Sequence, residues 1–169
     1  TIDTTEPIKL NMDHSETLAQ LTFSFKEPIN SVDVTKLRIQ QAADSTQATD
    51  YVQLTSADTV ATIESTAKKQ ITITLNEPNT RALKLNSNLA ITEANTFIRW
   101  EADFATDTKS NKNVALTHQA TEVTPDSTSP TIDTTEPIKL NMDHSETLAQ
   151  LTFSFKEPIN SVDVTKLRI

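Results

Sequence analysis

Apolar and polar residues alternate with a period of two over several short stretches of this chain, the spacing that turns one face of a β-strand toward a core. Ile8, Leu10 and Met12 alternate with Lys9 and Asn11, and Asp13, His14 and Ser15 supply the turn that follows. From Thr17 to Lys26, Ala19, Leu21, Phe23 and Phe25 fall on one side and Gln20, Thr22 and Ser24 on the other, the clearest strand in the sequence. Glu27-Pro28 closes it, since proline has no N–H to give to a central ladder. Residues 30–36 read as an irregular or single-turn helical crossing into a short strand at Leu37, Arg38 and Ile39.

Past a polar loop over residues 40–50, Tyr51, Val52 and Leu54 predict a further strand, and Val60, Thr62 and Glu64 continue the pattern weakly. Ile71, Ile73 and Leu75, interleaved with Thr72 and Thr74, restore a firm alternation in residues that suit a pleated surface. The period changes at Asn76-Glu77-Pro78, where a cap residue, an early acid and a first-turn proline predict a short helix near 77–85 with Ala82 and Leu83 on its packed side. Alternation returns over 97–104 with Ile98, Trp100 and Ala102 on one face, Thr106 to Asn113 reads as a turn, and Val114 and Leu116 form the last strand. About seven short strands at spacings of roughly ten residues, with polar turns and one short helix, predict an all-β fold, an antiparallel β-sandwich. Its expected core is Leu21, Phe23, Phe25, Ile71, Ile73, Leu75, Ile98, Trp100, Val114 and Leu116.

The pattern then starts again. Residues 131–169 reproduce residues 1–39 letter for letter. Exposed positions tolerate substitution at a cost of about 0.5 kcal/mol or less, so identity at every one of them indicates a tandem array rather than a shared fold alone. The organisation expected is a repeat unit over 1–123, a Thr/Ser/Pro linker over 124–136, and over 137–169 the N-terminal part of the next identical unit. In TEVTPDSTSP (121–130) no hydrophobic period is visible, and prolines 125, 130 and 137 favour extended, semi-rigid backbone. The same composition suits O-glycosylation, whereas the chain has no N-x-[ST] sequon.

Composition narrows the chemistry. Glycine and cysteine are both absent. Phosphate-cradling loops, nucleophile elbows and dinucleotide fingerprints need glycine for close backbone approach, and are disfavoured together. Backbone positions with positive φ are expected to fall to Asn and Asp instead. The lack of cysteine rules out disulfides, thiolate metal sites and thiol nucleophiles, and fits an oxidising or extracellular setting. With 15 basic and 23 acidic residues the net charge is -8, which argues against nucleic acid as a partner. No apolar run approaches the roughly 20 residues of a membrane span, so no membrane insertion by this segment is expected.

DTTEP (3–7), LTFSFKEPINSVDVTKLRI (21–39), ITITL (71–75) and TDTKSN (106–111) together resemble the bacterial-type immunoglobulin-like tandem repeats of large cell-surface and adhesin proteins. The resemblance covers nearly the whole repeat unit. It departs from the family at Ser110, where a glycine is usual. It implies Ig-like sandwiches strung end to end in an extracellular fibre or giant surface adhesin, each a mechanical spacer and assembly unit without enzymatic activity. The implied partners are neighbouring repeats of the same chain, with lateral or end-to-end self-association. Two other functions fit the same modules: a glycan- or protein-binding Ig-like module, and a strand-exchanged filament subunit in which residues 131–169 pair into another chain.

Candidate chemistry is sparse, and no catalytic, cofactor or metal residues are assigned. His14, His118 and His144 lack a second ligand at metal-binding spacing, His144 being the repeat copy of His14. Asp3, Asp107, Asp126, Asp133 and Glu136 lie in linkers and turns that would meet calcium at repeat junctions, as in some adhesin arrays, but no D-x-D-x-D-G loop is present. Trp100 and Tyr51 would stack on sugars if exposed; alternating apolar neighbours place Trp100 in the core. A Lys to Asn isopeptide bond, found in similar-looking adhesin domains, would show as a mass deficit of about one ammonia per unit.

Overall fold

Alternation becomes strand wherever a neighbour supplies the other half of the ladder. The computed structural model describes residues 1–15, 18–44, 46–55, 59–142, 148–159 and 161–168, and divides the chain into two units, Thr1–Ser127 and Thr128–Ile169. The first unit contains β1 (Lys9–Asn11), β2 (Gln20–Ser24), β3 (Ile29–Val32), β4 (Leu37–Gln40), β5 (Tyr51–Gln53), β6 (Val60–Ile63), β7 (Gln70–Thr74), helix α1 (Glu77–Lys84), β8 (Phe97–Trp100), β9 (Ala105–Asp107), β10 (Leu116–Gln119) and β11 (Glu122–Thr124). The described residues are all-β apart from that one helix and single 3-10 turns.

One sheet has the order β11-β1-β2-β7-β6, a second β10-β8-β4-β5, and β3 pairs with β9. Period-two burial holds where it was strongest in the sequence. Leu21 and Phe23 on β2, Ile71 and Ile73 on β7, and Ile98 and Trp100 on β8 are all fully buried. The two sheets meet through aromatic rings: Phe23 lies edge-on to Trp100 with centroids 5.1 Å apart, and Phe104 is 6.0 Å from Phe23. Burying each such side chain contributes about 1.5–3 kcal/mol. Helix α1 starts as its sequence dictates. The Asn76 side chain accepts from the Asn79 N–H at 2.9 Å, Pro78 occupies the first turn, and Glu77 pairs with Arg81 one turn on at 2.9 Å.

Several expectations are corrected. The unit is not wholly antiparallel, because β1 runs parallel to β11 in the register Lys9 to Glu122, Leu10 to Val123 and Asn11 to Thr124. Strands exceed the expected seven, since Ile29–Val32 forms β3 largely in a stretch read as crossing and Glu122–Thr124 forms β11 across the expected boundary between repeat unit and linker. Val114 is 74% exposed rather than core, because β10 begins two residues later, at Leu116, which is only partly buried. Ala102 is exposed because β8 ends at Trp100 and the chain turns through Asp103. Ala82 is exposed as well, since α1 buries Asn79, Thr80 and Leu83 instead. Residues 34–36 do form the expected helical turn. The expected start of the second strand, Thr17, lies outside the described residues.

Among the described residues positive φ falls on Lys68, Ala90, Asp103 and Ser110, of which Asp103 alone is the Asp or Asn expected. Local hydrogen bonds make two of these positions tolerable. The Glu64 carboxylate accepts the backbone N–H groups of Thr66, Ala67 and Lys68 at 2.9, 2.9 and 3.1 Å, fixing that turn. Asp107 does the same at the other, taking the N–H groups of Lys109 and Asn111 at 2.8 Å on either side of Ser110.

The second unit carries the same sequence as residues 1–39. It keeps a hairpin, β12 (Lys139–Asn141) with β13 (Gln150–Thr152), the bridge from Ile132 to Phe155, and the 3-10 turn over Val164–Lys166 capped by Asp163. All of these close over short sequence distances. By contrast, β13 is shorter than its counterpart β2, which in the first unit is held along its far side by β7. The counterpart of β3, which pairs with β9 in the first unit, forms no strand among the described residues. Pairing with a distant neighbour, rather than propensity alone, accompanies the strand at Ile29–Val32.

Candidate functional site

The residues singled out for chemistry do not gather. His14 is exposed at the turn after β1. His118 sits on β10 with Nδ1 2.9 Å from the Gln119 carbonyl oxygen, and His144 lies outside the described residues. Among the described residues no three His, Asp or Glu side chains converge on a point.

The acidic candidates are instead engaged in turns. Asp3 accepts from the Thr5 hydroxyl at 2.7 Å, and Asp133 from the Thr135 hydroxyl at 2.6 Å. The Asn111 amide donates to Asp107 at 2.8 Å, and Lys84 holds Asp126 at 3.3 Å. Glu136 is exposed. These donors favour the ionised carboxylate. Asp3 and Asp133 are held below the usual carboxylate range chiefly by those Thr hydroxyls, Asp107 chiefly by the Asn111 side chain, and Glu64 chiefly by the Ala67 N–H.

The stacking candidates separate. Trp100 is fully buried against Phe23 and offers no face to a sugar. Tyr51 is half exposed, but the Arg38 guanidinium lies over its ring at 4.9 Å. An open cavity of about 220 Å³, lined in part by Thr1, Phe25, Pro28, Ile29 and Asp107, is smaller than the ~300–1,000 Å³ of ordinary small-molecule sites.

What the first unit does build is a joint between its two ends. β1 is the first strand and β11 the last, and they lie side by side in parallel. Their ladder is extended at both ends: the N–H groups of Thr121 and Glu122 reach the Ile8 carbonyl at 2.9 and 3.2 Å, and the Met12 N–H reaches the Thr124 carbonyl at 2.8 Å. The Ile8 N–H adds a bond of 2.9 Å to the Thr121 hydroxyl. Leu10 on β1 is buried, Val123 on β11 packs against the same core, and Lys9 pairs with Glu122 at 2.7 Å on the solvent side. Exposed as it is, that ion pair contributes about 0.2–1 kcal/mol, so the backbone ladder and the core carry most of the joint.

The ends of the unit emerge on opposite sides of this joint. Thr1 accepts from the Lys26 N–H at 2.9 Å, beyond one end of β2, while the Ser127 hydroxyl donates to Asp13 at 2.6 Å, beyond the other. Outward tension on Thr1 and Ser127 therefore drags β1 and β11 along each other in opposite directions. Every bond between them is loaded at once, in shear.

This pairing was missed in the sequence because no hydrophobic period is visible over residues 121–130 and the linker was expected to begin at 124. The signal was present in Thr121-Glu122-Val123-Thr124, a short run rich in β-branched residues whose lone apolar member, Val123, faces the core. Compared with known proteins, the chain matches no family model, and no curated protein or solved structure resembles it significantly.

Proposed function

We propose that this chain is a stretch of a tandem array of Ig-like β-sandwich modules, and that each module is a tension-bearing spacer in an extracellular fibre or surface adhesin. The observation that carries the reading is the parallel pairing of β1 with β11, with the two ends of the unit emerging at opposite ends of β2. A module built this way is threaded head to tail by its own chain, and its terminal strands form a clamp across the line of pull. The sandwich reading is supported by the contact of Phe23 with Trp100 between the two larger sheets, and the array reading by the letter-for-letter recurrence of residues 1–39. Resistance to force is a matter of unfolding rate, which depends on how many bonds must break together.

Stretching the 169-residue chain between its ends in a force spectrometer tests the role. A single high-force event releasing the first unit is expected. Gradual extension with no resolved event contradicts it.

A further inference from the structure

The five-stranded sheet of the first unit stops at β6, and among the described residues no strand bonds to its far side. β3 comes near it but pairs with β9. The direction of each backbone group on β6 follows from its partner β7. The Glu64 N–H reaches the Gln70 carbonyl at 2.9 Å, and the register runs Val60 to Thr74, Ala61 to Ile73, Thr62 to Thr72 and Ile63 to Ile71. Bonded pairs alternate along an antiparallel ladder, so Val60, Thr62 and Glu64 exchange bonds with β7. The N–H and C=O groups of Ala61 and Ile63 therefore point out of the sheet edge.

An open edge is a template for another strand, and proteins ordinarily blunt it with charge, proline or extreme shortness. β6 has four residues, Val-Ala-Thr-Ile, uncharged and mostly β-branched, with Val60 and Thr62 exposed on the outer face. The other edges of the two larger sheets are guarded. β11 is three residues long and carries Glu122, held by Lys9. β5 is as short, and the Arg38 guanidinium lies over its Tyr51. On β10 the Gln119 side chain folds over to the Glu93 carbonyl at 2.9 Å.

We propose that β6 is an interface between two copies of this chain, pairing antiparallel with β6 of the second copy about a two-fold axis at Thr62. In that register Ala61 faces Ile63 of the second copy and Ile63 faces its Ala61, so every outward N–H meets an outward C=O. Charge favours a second copy as the occupant. At a net charge of -8 two copies repel over most of their surfaces, but here Glu64 falls opposite Val60 and Thr62 opposite Thr62, and no like charges meet. The outer face matches as well. Thr22, Thr72 and Thr62 are direct neighbours on β2, β7 and β6, with the Thr22 and Thr72 hydroxyls 3.4 Å apart. The two-fold axis continues this row of threonines into its own copy. Such a contact uses the same patch on both molecules and closes at the dimer. It does not require the module to bear load.

The test is sedimentation of the 169-residue chain and of Thr62→Lys, Thr62→Glu and Ala61→Pro variants. One short edge buries little surface, so the parent is expected to pass from monomer to dimer between about 0.1 and 1 mM. Thr62 is exposed, and a charge there leaves the fold and the Trp100 emission unchanged. Thr62→Lys and Thr62→Glu are each expected to stay monomeric, because the two-fold axis sets like charges side by side, and an equimolar mixture of the two to recover the dimer. Ala61→Pro removes an N–H that β7 does not use, and should abolish the dimer while Trp100 stays buried. A parent that is monomeric throughout the range overturns the interface, as do Thr62 variants that associate like the parent. A mixture that stays monomeric overturns the axis at Thr62.

Discussion

Phe23 and Trp100 meet edge to face, with ring centroids 5.1 Å apart, and neither has any exposed surface. They come from β2 and β8, on different sheets, so this contact joins those two sheets. Phe23→Ala should lower unfolding free energy by about 3–5 kcal/mol, because the hole it leaves is walled by rings that cannot collapse into it. A denaturant titration followed by Trp100 emission measures this. A loss under about 1 kcal/mol would mean that the layers are held elsewhere.

The repeated sequence allows one substitution to be made in two contexts. Leu10→Ala is expected to cost the first unit about 2–5 kcal/mol, while Leu140→Ala, at the same place in the repeat but half exposed, should leave the main melting transition within about 0.5 kcal/mol. Equal effects would contradict the unequal cover of the two copies. Differential scanning calorimetry on the two variants decides it.

Ser110 holds φ of 65° in a turn where a side chain is penalised. Ser110→Gly should relieve about 1–2 kcal/mol of that penalty and give back ~0.5–1 kcal/mol in unfolded-chain freedom, for a net gain of up to about 1.5 kcal/mol. Ser110→Val, which adds a β-branch at the same φ, should destabilise. A Ser110→Gly chain that melts lower than the parent would show that the Asp107 bonds depend on the serine itself.

Acid should loosen the turns. Asp3, Asp44, Glu64, Glu101 and Asp107 all have pKa values lowered in the folded first unit, Glu101 chiefly through the Arg99 side chain and Asp44 chiefly through the Thr46 N–H. A lowered folded pKa means that the stability is present above the ordinary values of 4.5 for Glu and 3.8 for Asp, and is lost as pH falls through the folded values. Melting temperature should therefore hold steady down to about pH 4.5 and decline below it, and Glu64→Gln should remove part of that decline. A flat profile down to pH ~2.5 would contradict the assignment.

The strands legible in the sequence were those whose alternation is long and whose residues reach the core, such as Leu21 and Phe23 or Ile71 and Ile73. The helix was legible from its cap, since Asn76 and Pro78 act within one turn. What could not be read depends on distant partners. Glu122–Thr124 is a strand because β1 lies beside it, and Ile29–Val32 because β9 does. Val114 follows a polar turn, and its alternation with Leu116 assigned it to a strand that the backbone does not enter until Leu116. The pairing of β1 with β11 was invisible for the same reason, because pairing first with last is a property of topology and leaves little trace in a three-residue strand.

The parallel clamp is tested most directly by pulling it in two directions. The chain has no cysteine, so handles are placed cleanly by Thr1→Cys with Ser127→Cys, which loads β1 against β11 in shear, or by His14→Cys with Ser127→Cys, which peels the same pair from one end. The clamp predicts a rupture force several-fold higher in the first geometry than in the second, and a drop in the first when Thr124→Pro removes an N–H from β11. Equal forces in the two geometries would contradict it.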